Sequence, residues 1–576
     1  MAAEQKDLEV ERVAEEMAKD MKAISVAEFF EKNRHLLGYE NSTKALITVV
    51  KEMIDNGLDA CNEAGILPNI DAVVKQVGID RFRISVEDNG PGIVDSKIPE
   101  AFGKLLFGSK FHRLRQSRGT QGIGVKGAVL YSQLTTGKPA AITSSTGDRK
   151  VHTFRLMIDT VRNEPHVVSH DTEQNKSGWH GIKIELELEG KYIERSQSIP
   201  EYLKQTAIAN PYANIKYSGP NGVQKFERAT KVMPPQPKEI KPHPYGIELG
   251  ILRRMAAFTR ARNVTGFLTS DFSRVGKRSA EQICLLAKVD PKKDPRKLAA
   301  EEYESLHKAM QMVKLIAPPT NCLSPLTQKL IEDGLKKEVE ADYYVSITRP
   351  PSVYRGNPFQ VEVGIAYGGK FDPSATVTLY RFANKVPLLY HQSSCAITDA
   401  VAEVDWRRYG LQQSAGNLPT GPAVILVHFA SVWVPFTSEG KEAIAKYPEI
   451  IKEIKLALQD AGRQLERFVR QQRRARQSQM RRQIFERYIP EVAGALDALT
   501  GKDKAKIAKD LESMLKRNNK EIEEEAEKAA QEEQEEQEDA AQNGTAQEGA
   551  EKEAKETKET KIEEEDEEIG EDEGEA

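Results

Sequence analysis

The chain has 576 residues, 39% of them hydrophobic and 30% charged, with a formal net charge of −5; this length exceeds one hydrophobic core and predicts three or four domains. No uncharged apolar run of about 18 residues occurs, and the opening MAAEQKDLEV is polar where a secretory leader is apolar, so neither a membrane span nor a leader is expected and the location expected is cytoplasmic. Cys61, Cys284, Cys322 and Cys395 stand far apart, which excludes CxxC zinc pairs and a disulfide scaffold and predicts buried, reduced thiols.

The net charge conceals a division. Residues 521–576 hold 26 acidic residues and 5 lysines, leaving 78 basic against 62 acidic residues elsewhere. Such a basic body is the footprint of a nucleic-acid partner, although solvated protein faces carry the same balance.

In chain order, residues 7–21 have helical spacing (Leu8, Val10, Val13, Met17, Met21), and Ser25 can cap a short helix reaching Asn33. A longer helix is predicted after Ser42 and Thr43, running through Leu46, Val49, Val50, Met53, Ile54 and Leu58 and stopping near Gly65 and Pro68. Residues 81–87, RFRISVE, alternate like a half-buried strand and run straight into the turn DNGPG. A glycine-punctuated stretch, 102–127, precedes strand-like runs at 151–158 and 181–188. Five prolines in residues 233–244 forbid a regular element and mark a border. A basic helical insert follows over 245–316, and strand-like runs return from Asp342 in DYYVSITRP, FQVEVGIAY, ATVTLYRF and AVILVHFASVWV. Helical patterning resumes at Glu442 and continues through the basic RFVRQQRRARQSQMRRQIFERY, and the Glu-rich tail after about Asn519 is expected to be disordered.

Three motifs carry chemistry. In EMIDNGLDA, Glu52 and Asn56 are four residues apart and share a helix face. A carboxylate there can polarise a water for attack on phosphorus, and a neutral amide oxygen can hold magnesium without adding negative charge. In DNGPG, Asp88 ends a strand, where it can accept from an exocyclic amine such as that of adenine, while Gly90 and Gly92 allow a close turn. In RGTQGIGVKGA, Gly119, Gly122 and Gly124 let backbone amides face an anion, and Lys126 adds a positive charge. Each motif alone has an ordinary reading as a solvated helix face, a common turn or a flexible loop, and the stretch lacks both the GK[ST] ending of a P-loop and the setting of a dinucleotide fold.

Taken in this order, the motifs resemble the GHKL superfamily of ATPases, with its helix bearing Glu and Asn, its DxGxG box and its glycine-rich lid. The segments AFGKLLFGSKF, GVKGAVLYSQ, NCLSP and RGNPFQVEVGIAYGG narrow the resemblance to the B subunits of DNA topoisomerase VI, over about residues 20–490. The resemblance implies Glu52 as general base, Asn56 as magnesium ligand, Asp88 as adenine contact, and Gly119, Thr120, Gln121, Gly122, Ile123, Gly124, Val125 and Lys126 as the phosphate lid, bordered by Ser109 and Lys110. It also implies that Lys441, in VWVPFTSEGKEAI, touches the γ-phosphate from the following domain. The expected position of Lys441 is the start of a helix, unfavourable for a lysine unless it reaches an anion.

The expected fold is α/β and multidomain: a GHKL α/β sandwich ATPase domain (23–232) after an N-terminal arm (1–22), a helix-two-turns-helix insert (233–318), an α/β transducer (319–466), a basic helical region (467–519) and a disordered acidic tail (520–576). The function implied is the ATP-hydrolysing B subunit of a type IIB topoisomerase, with ATP and Mg2+ as cofactors. Its implied partners are a DNA-cleaving A subunit bearing the nucleophilic tyrosine, a second copy on ATP binding (A2B2) and double-stranded DNA, with no membrane. Mismatch-repair and chaperone ATPases, or a non-catalytic ATP-switched scaffold, are the alternatives.

Overall fold

The computed structural model describes residues 17–18, 23–108, 110, 113–119, 122–194, 197–438, 440–501 and 503–514. Of the expected arm helix only Met17 and Ala18 are among them, both helical, and the last residues of the expected basic region (515–519) and the acidic tail (520–576) lie outside them.

The chain enters through α1 (Val26–Lys32), whose N-cap Ser25 accepts from the Glu28 amide at 3.1 Å. Helix α2 (Ser42–Glu63) follows; Ser42 and Thr43, expected to precede it, are its first two residues, and its cap is Asn41, accepting from the Lys44 amide at 2.9 Å. Leu46, Val49, Val50, Met53, Ile54 and Leu58 are all buried along one stripe of α2, each burial stabilising by about 1.5–3 kcal/mol. The helix ends before Gly65, at a φ of 68°, where a residue without Cβ is needed to reverse the chain.

Behind it stands an eight-stranded sheet of order β5-β4-β3-β6-β2-β1-β7-β8, built from β1 (Asn69–Gly78), β2 (Arg81–Glu87), β3 (Ala140–Thr146), β4 (Lys150–Asp159), β5 (Glu164–Gln174), β6 (His180–Glu189), β7 (Asn214–Gly219) and β8 (Gly222–Phe226). All neighbours are antiparallel except β1 and β7. Alternate residues Ile70, Ala72 and Val74 of β1 and Phe82, Ile84 and Val86 of β2 join one core with α2, α4 (Gly124–Thr136) and α5 (Ile199–Ala209). Short α3 (Ile98–Gly103) lies between β2 and α4 in sequence.

Residues 247–313 form a separate helical core from α6 (Leu249–Phe258), α7 (Val264–Asp271), α8 (Lys277–Ala287) and α9 (Ala300–Met312), centred on Leu252, Phe267, Leu268, Ile283, Leu306 and Met310. Helix α10 (Gln328–Glu338) then leads into a second sheet of order β10-β11-β14-β12-β13, with β9 paired on β11. Its strands are β9 (Tyr343–Thr348), β10 (Ser352–Tyr354), β11 (Asn357–Tyr367), β12 (Thr378–Ala383), β13 (Val386–Pro387) and β14 (Ala423–Ser431). Helix α10 is pressed between the two sheets' layers: a Cβ on Gly334 would collide with the Ile208 carbonyl of α5, and one on Gly364 of β11 would meet Ile331 and Leu335. The opposite face of β11 and β14 packs on α11 (Ala396–Glu403) and on Ile450, Ile454, Leu458 and Leu465 of α12 (Pro448–Thr500). From Arg470 onward the chain belongs to a second compact unit, where Arg473, Arg474, Arg476, Arg481 and Arg487 of α12 are exposed.

The second sheet also holds a buried polar chain. His428 Nδ1 donates to Glu362 Oε2 at 2.7 Å, and His428 Nε2 accepts from the Lys385 amide at 3.0 Å. A ring nitrogen that accepts cannot carry a proton, so His428 is neutral, in keeping with burial pushing its pKa down. Lys385 Nζ continues the chain to Ser324 Oγ at 2.7 Å, and Ser324 exchanges two backbone bonds with the Gln116 amide group, at 2.7 and 2.9 Å. The turn of β12 and β13 is thereby fastened to the segment that opens the glycine lid.

One expected element differs. No helix begins at Glu442. Ala443 and Ile444 are buried in the second sheet's core, Ile444 bridges Phe436 as an extended segment, and the helix starts only at Pro448.

Candidate functional site

Helix α2 presents Lys51, Glu52 and Asn56 to a cavity of about 990 Å³. The other walls come from Asp88 and Gly92 beyond β2, from Lys110, Gly119 and Gly122–Lys126, and from Gly440, Lys441 and Glu442 of the second sheet's connections. The structure therefore brings together Glu52, Asn56, Asp88, Lys110, Gly119, Gly122, Ile123, Gly124, Val125, Lys126 and Lys441. Ser109, Thr120 and Gln121 lie outside the described residues.

At one end, Asp88 is placed by β2 pairing with β6 and is nearly buried. Its Oδ1 accepts from the Gly90 amide at 2.8 Å and from the Ile182 amide at 3.3 Å. Burial pushes its carboxyl up to about 6 although the two amides oppose it. Among the described residues nothing donates to Oδ2, which a Cβ on Gly57 would approach to 3.2 Å. One oxygen is fixed by the fold and the other is left for an incoming N–H.

At the other end, the Glu52 carboxylate lies against Gly124, the first residue of α4, so closely that a Cβ there would overlap it. The N-terminus of a 13-residue helix carries unsatisfied amides and the positive end of the helix dipole, which suits an anion. Val125 is buried in the core, so its amide alone can serve such a ligand. Lys126 is buried, and burial pushes its ammonium down to about 8. It donates to the Phe107 carbonyl and lies 5.6 Å from that ring's centroid, and among the described residues no carboxylate neutralises it. Tyr39 stacks on Tyr131 at 4.8 Å, and its buried hydroxyl has no hydrogen-bond partner among the described residues.

Asp59, one turn beyond Asn56, holds both flanks of the lid. Its Oδ2 accepts from Lys110 Nζ at 3.1 Å and its Oδ1 from Arg118 at 2.8 Å. Burial would raise the Asp59 carboxyl, but these two cations outweigh it and hold it at about 2. Arg118 also donates to Asn210 Oδ1 at 2.5 Å, and Lys110 to Glu63 at 2.9 Å. Lys110 lines the cavity with its charge already paired.

Lys441 adopts a left-handed φ of 54° in a turn where its amide donates to Ser438 O at 3.1 Å. It stands at no helix start, so the expected dipole argument does not apply. Its Nζ reaches out of the second sheet to the Arg118 carbonyl at 2.9 Å. The motif reading of EMIDNGLDA gave Asp59 no role, and the sequence gave none to Tyr39 or Arg118. The one signal available was that Asp55, Asn56 and Asp59 crowd a helix whose neighbouring stripe is apolar.

The donor set fits a nucleoside triphosphate: an acceptor awaiting an exocyclic N–H at one end, and a helix N-terminus with an unneutralised buried lysine and an orphan hydroxyl at the other. Residues 41–160 match the family described as histidine kinase-, DNA gyrase B- and HSP90-like ATPase. Residues 318–481 match the topoisomerase VI B subunit transducer. The chain is 47% identical over 497 residues to the B subunit of type 2 DNA topoisomerase 6 from Methanosarcina barkeri, covering 85% of this chain and 79% of that one. It is 48% identical over 476 residues to the corresponding B subunit from Archaeoglobus fulgidus, covering 82% and 78%. With the B subunit from Thermococcus gammatolerans the identity is 39% over 541 residues, covering 86% of this chain and 95% of the relative. On these grounds the chain belongs to the family of topoisomerase VI B subunits.

Proposed function

We propose that the cavity binds ATP, with adenine at Asp88 and the phosphates over the N-terminus of α4, and that this is the ATP-hydrolysing B subunit of a type IIB DNA topoisomerase. The observation that carries the reading is the Glu52 carboxylate set against the first turn of α4, opposite Asp88 across one cavity.

In this reading Asp88 Oδ2 accepts from the adenine amine, and Gly57 leaves room for the ring edge. Glu52 takes a proton from the water that attacks the γ-phosphorus, and the α4 amides, Lys126 and Lys441 balance the phosphate charge. The neutral oxygen of Asn56, on the same face as Glu52, would hold Mg2+, which when bound would offset the phosphates' negative charge. Gly119, Gly122, Ile123, Gly124 and Val125 close over the phosphates through their amides. Lys441 leaves the Arg118 carbonyl for the γ-phosphate, a contact ATP offers and ADP does not, so hydrolysis is reported to the second sheet.

The proposed division of labour follows from this. Residues 23–232 hold ATP, 319–466 transduce its state, and 233–318 form a helical insert. ATP binding closes two copies into a gate around a DNA duplex, their arms (1–22) embracing. DNA cleavage belongs to a second polypeptide, an A subunit with a nucleophilic tyrosine, in an A2B2 assembly. The tyrosines of the second sheet favour that assignment because they are occupied in packing: Tyr343 stacks on Phe468 at 4.3 Å, Tyr344 donates to the Val339 carbonyl, and Tyr354 packs on Tyr447 at 4.6 Å. No helix among the described residues is long and apolar enough to cross a membrane.

The test is to incubate the purified chain with supercoiled plasmid, ATP and magnesium, denature it, and assay both phosphate release and DNA with covalently attached protein. Phosphate release without cleavage is expected, with relaxation only when the second polypeptide is added. Cleavage by the chain alone would overturn the assignment.

A further inference from the structure

The segment that carries Lys441 is gripped from two sides. In its stem the Thr437 amide donates to the Ala443 carbonyl at 3.0 Å and the Ala445 amide to the Pro435 carbonyl at 2.8 Å, while Ala443 and Ile444 are fully buried in the second sheet's core. Its tip is held by α2. The Gly440 carbonyl is 3.5 Å from Lys51 Nζ, and Glu442 Oε1 is 2.6 Å from Lys44 Nζ. The other Glu442 oxygen is 3.2 Å from His391 Nδ1. Three consecutive residues, Gly440, Lys441 and Glu442, thus each contact a different point of the first domain, two of these points being lysines of α2.

The Lys44–Glu442 pair is no surface contact. The two side chains are 8% and 7% exposed, so removing one charge leaves its partner poorly solvated, whereas exposed pairs contribute little. Lys44 is further fixed by Glu40 at 3.0 Å and by the ring of Tyr390, 5.1 Å away. The residue between the anchors needs such restraint. Lys441 has a left-handed backbone, which a side-chain-bearing residue keeps only when its surroundings impose it.

We propose that Lys44 and Glu442 are a positioning pair for ATP hydrolysis, tying the Lys441 turn to the helix that carries Glu52 so that the lysine is presented to the terminal phosphate. Lys44 is not part of the cavity wall, and both oxygens of Glu442 are taken up by Lys44 and His391; the pair acts through the backbone of Lys441. The proposal rests on the reading of Lys441 given above. Because Lys44 and Glu52 stand on one rigid helix, the pair makes the position of the sensor lysine follow that of the general base.

The test uses the full chain with Glu442→Gln, Lys44→Met, the double substitution and, as reference, Lys441→Ala. Three readouts are taken: kcat and KM for ATP hydrolysis, Kd for ADP, and hydrogen exchange without nucleotide at the Thr437 and Ala445 amides. Each single substitution should lower kcat about tenfold, with KM and ADP Kd within about threefold of wild type. Exchange should accelerate at those two amides while the first sheet stays protected. The double variant should be no slower than the slower single, since both changes remove one contact. Wild-type kcat and protection in both singles would overturn the pair, as would a double variant whose loss is the product of the singles. Impaired Lys441→Ala beside normal pair variants removes the pair alone. Wild-type hydrolysis in Lys441→Ala removes the Lys441 reading and the pair with it. The two singles approach the contact from opposite domains, so misfolding of one, seen as exchange throughout the first sheet, leaves the other decisive.

Discussion

The two ends of the cavity are built on opposite principles. At the Asp88 end the fold completes the site by itself: two backbone amides fix one carboxylate oxygen, and Gly57 brings no Cβ against the other. At the lid end each cation rests on a protein acceptor, Lys126 on the Phe107 carbonyl, Lys441 on the Arg118 carbonyl and Lys110 on Asp59 and Glu63. A ligand therefore meets a finished surface at one end and must displace existing bonds at the other. On the proposed reading, affinity common to ATP and ADP belongs to the first end, and discrimination between them to the second.

The largest effect expected to separate the ends is at Glu52. Glu52→Ala should cut hydrolysis about 10²–10⁴-fold, the usual contribution of a general base, with ADP affinity changed by no more than about threefold. Steady-state phosphate release and ADP titration check this, and equal loss of both would make Glu52 structural. Next is Asp88→Asn, which should weaken ATP and ADP alike by about 10–100-fold, the value of a hydrogen bond to a charged group. A loss confined to ATP would erase the distinction between the ends. Lys441→Ala should be smaller and of the opposite kind, with hydrolysis down about tenfold and ADP binding unchanged by calorimetry.

The smallest and most diagnostic effect is on pH. The Asp88 carboxyl is pushed up to about 6 by burial, so the acceptor for an amine is present above that value and lost below it. ADP affinity should fall about tenfold between pH 7.5 and pH 5, and Asp88→Asn should flatten the profile. Stability runs the other way. A carboxyl whose folded value lies above its unfolded one favours folding when protonated, so its contribution is full below about 4 and is lost as pH rises through about 6. Thermal melts of wild type against Asp88→Asn, without nucleotide, read that difference.

What the sequence revealed follows the same line. Glu52, Asn56, Asp88 and the glycines were legible because their spacing lies within one helix, one turn or one loop, where local geometry decides which side chains meet. Asp59 with Lys110 and Arg118, and Lys44 with Glu442, were not, because the partners are far apart in the chain and a charged helix residue reads alike whether solvated or buried. The strands β2, β4, β6, β9, β11, β12 and β14 announced themselves through alternation or apolar runs. β5 did not, since it is mostly exposed, and neither did β1, whose second half, from Lys75, is solvated. The helix expected at Glu442 was misread for a definable reason. KEAIAK has helix-favouring composition, yet Ala443 and Ile444 are drawn into the core as extended chain, and tertiary burial overrides propensity.

Helix α2 has a consequence for how such a chain can vary over generations. Lys44, Lys51, Glu52, Asn56 and Asp59 meet, in turn, the Glu442 carboxylate, the Gly440 carbonyl, the first turn of α4, the cavity and the two lid-flanking cations. They do so from one rod, on which a single inserted residue would turn everything beyond it by about 100° and advance it by about 1.5 Å. Between Lys44 and Asp59 the gene can therefore tolerate exchanged letters away from these five positions, but no change of length. Insertions and deletions are left to surface turns such as the one joining β7 to β8, where a Cβ on Gly222 would meet nothing within 4 Å.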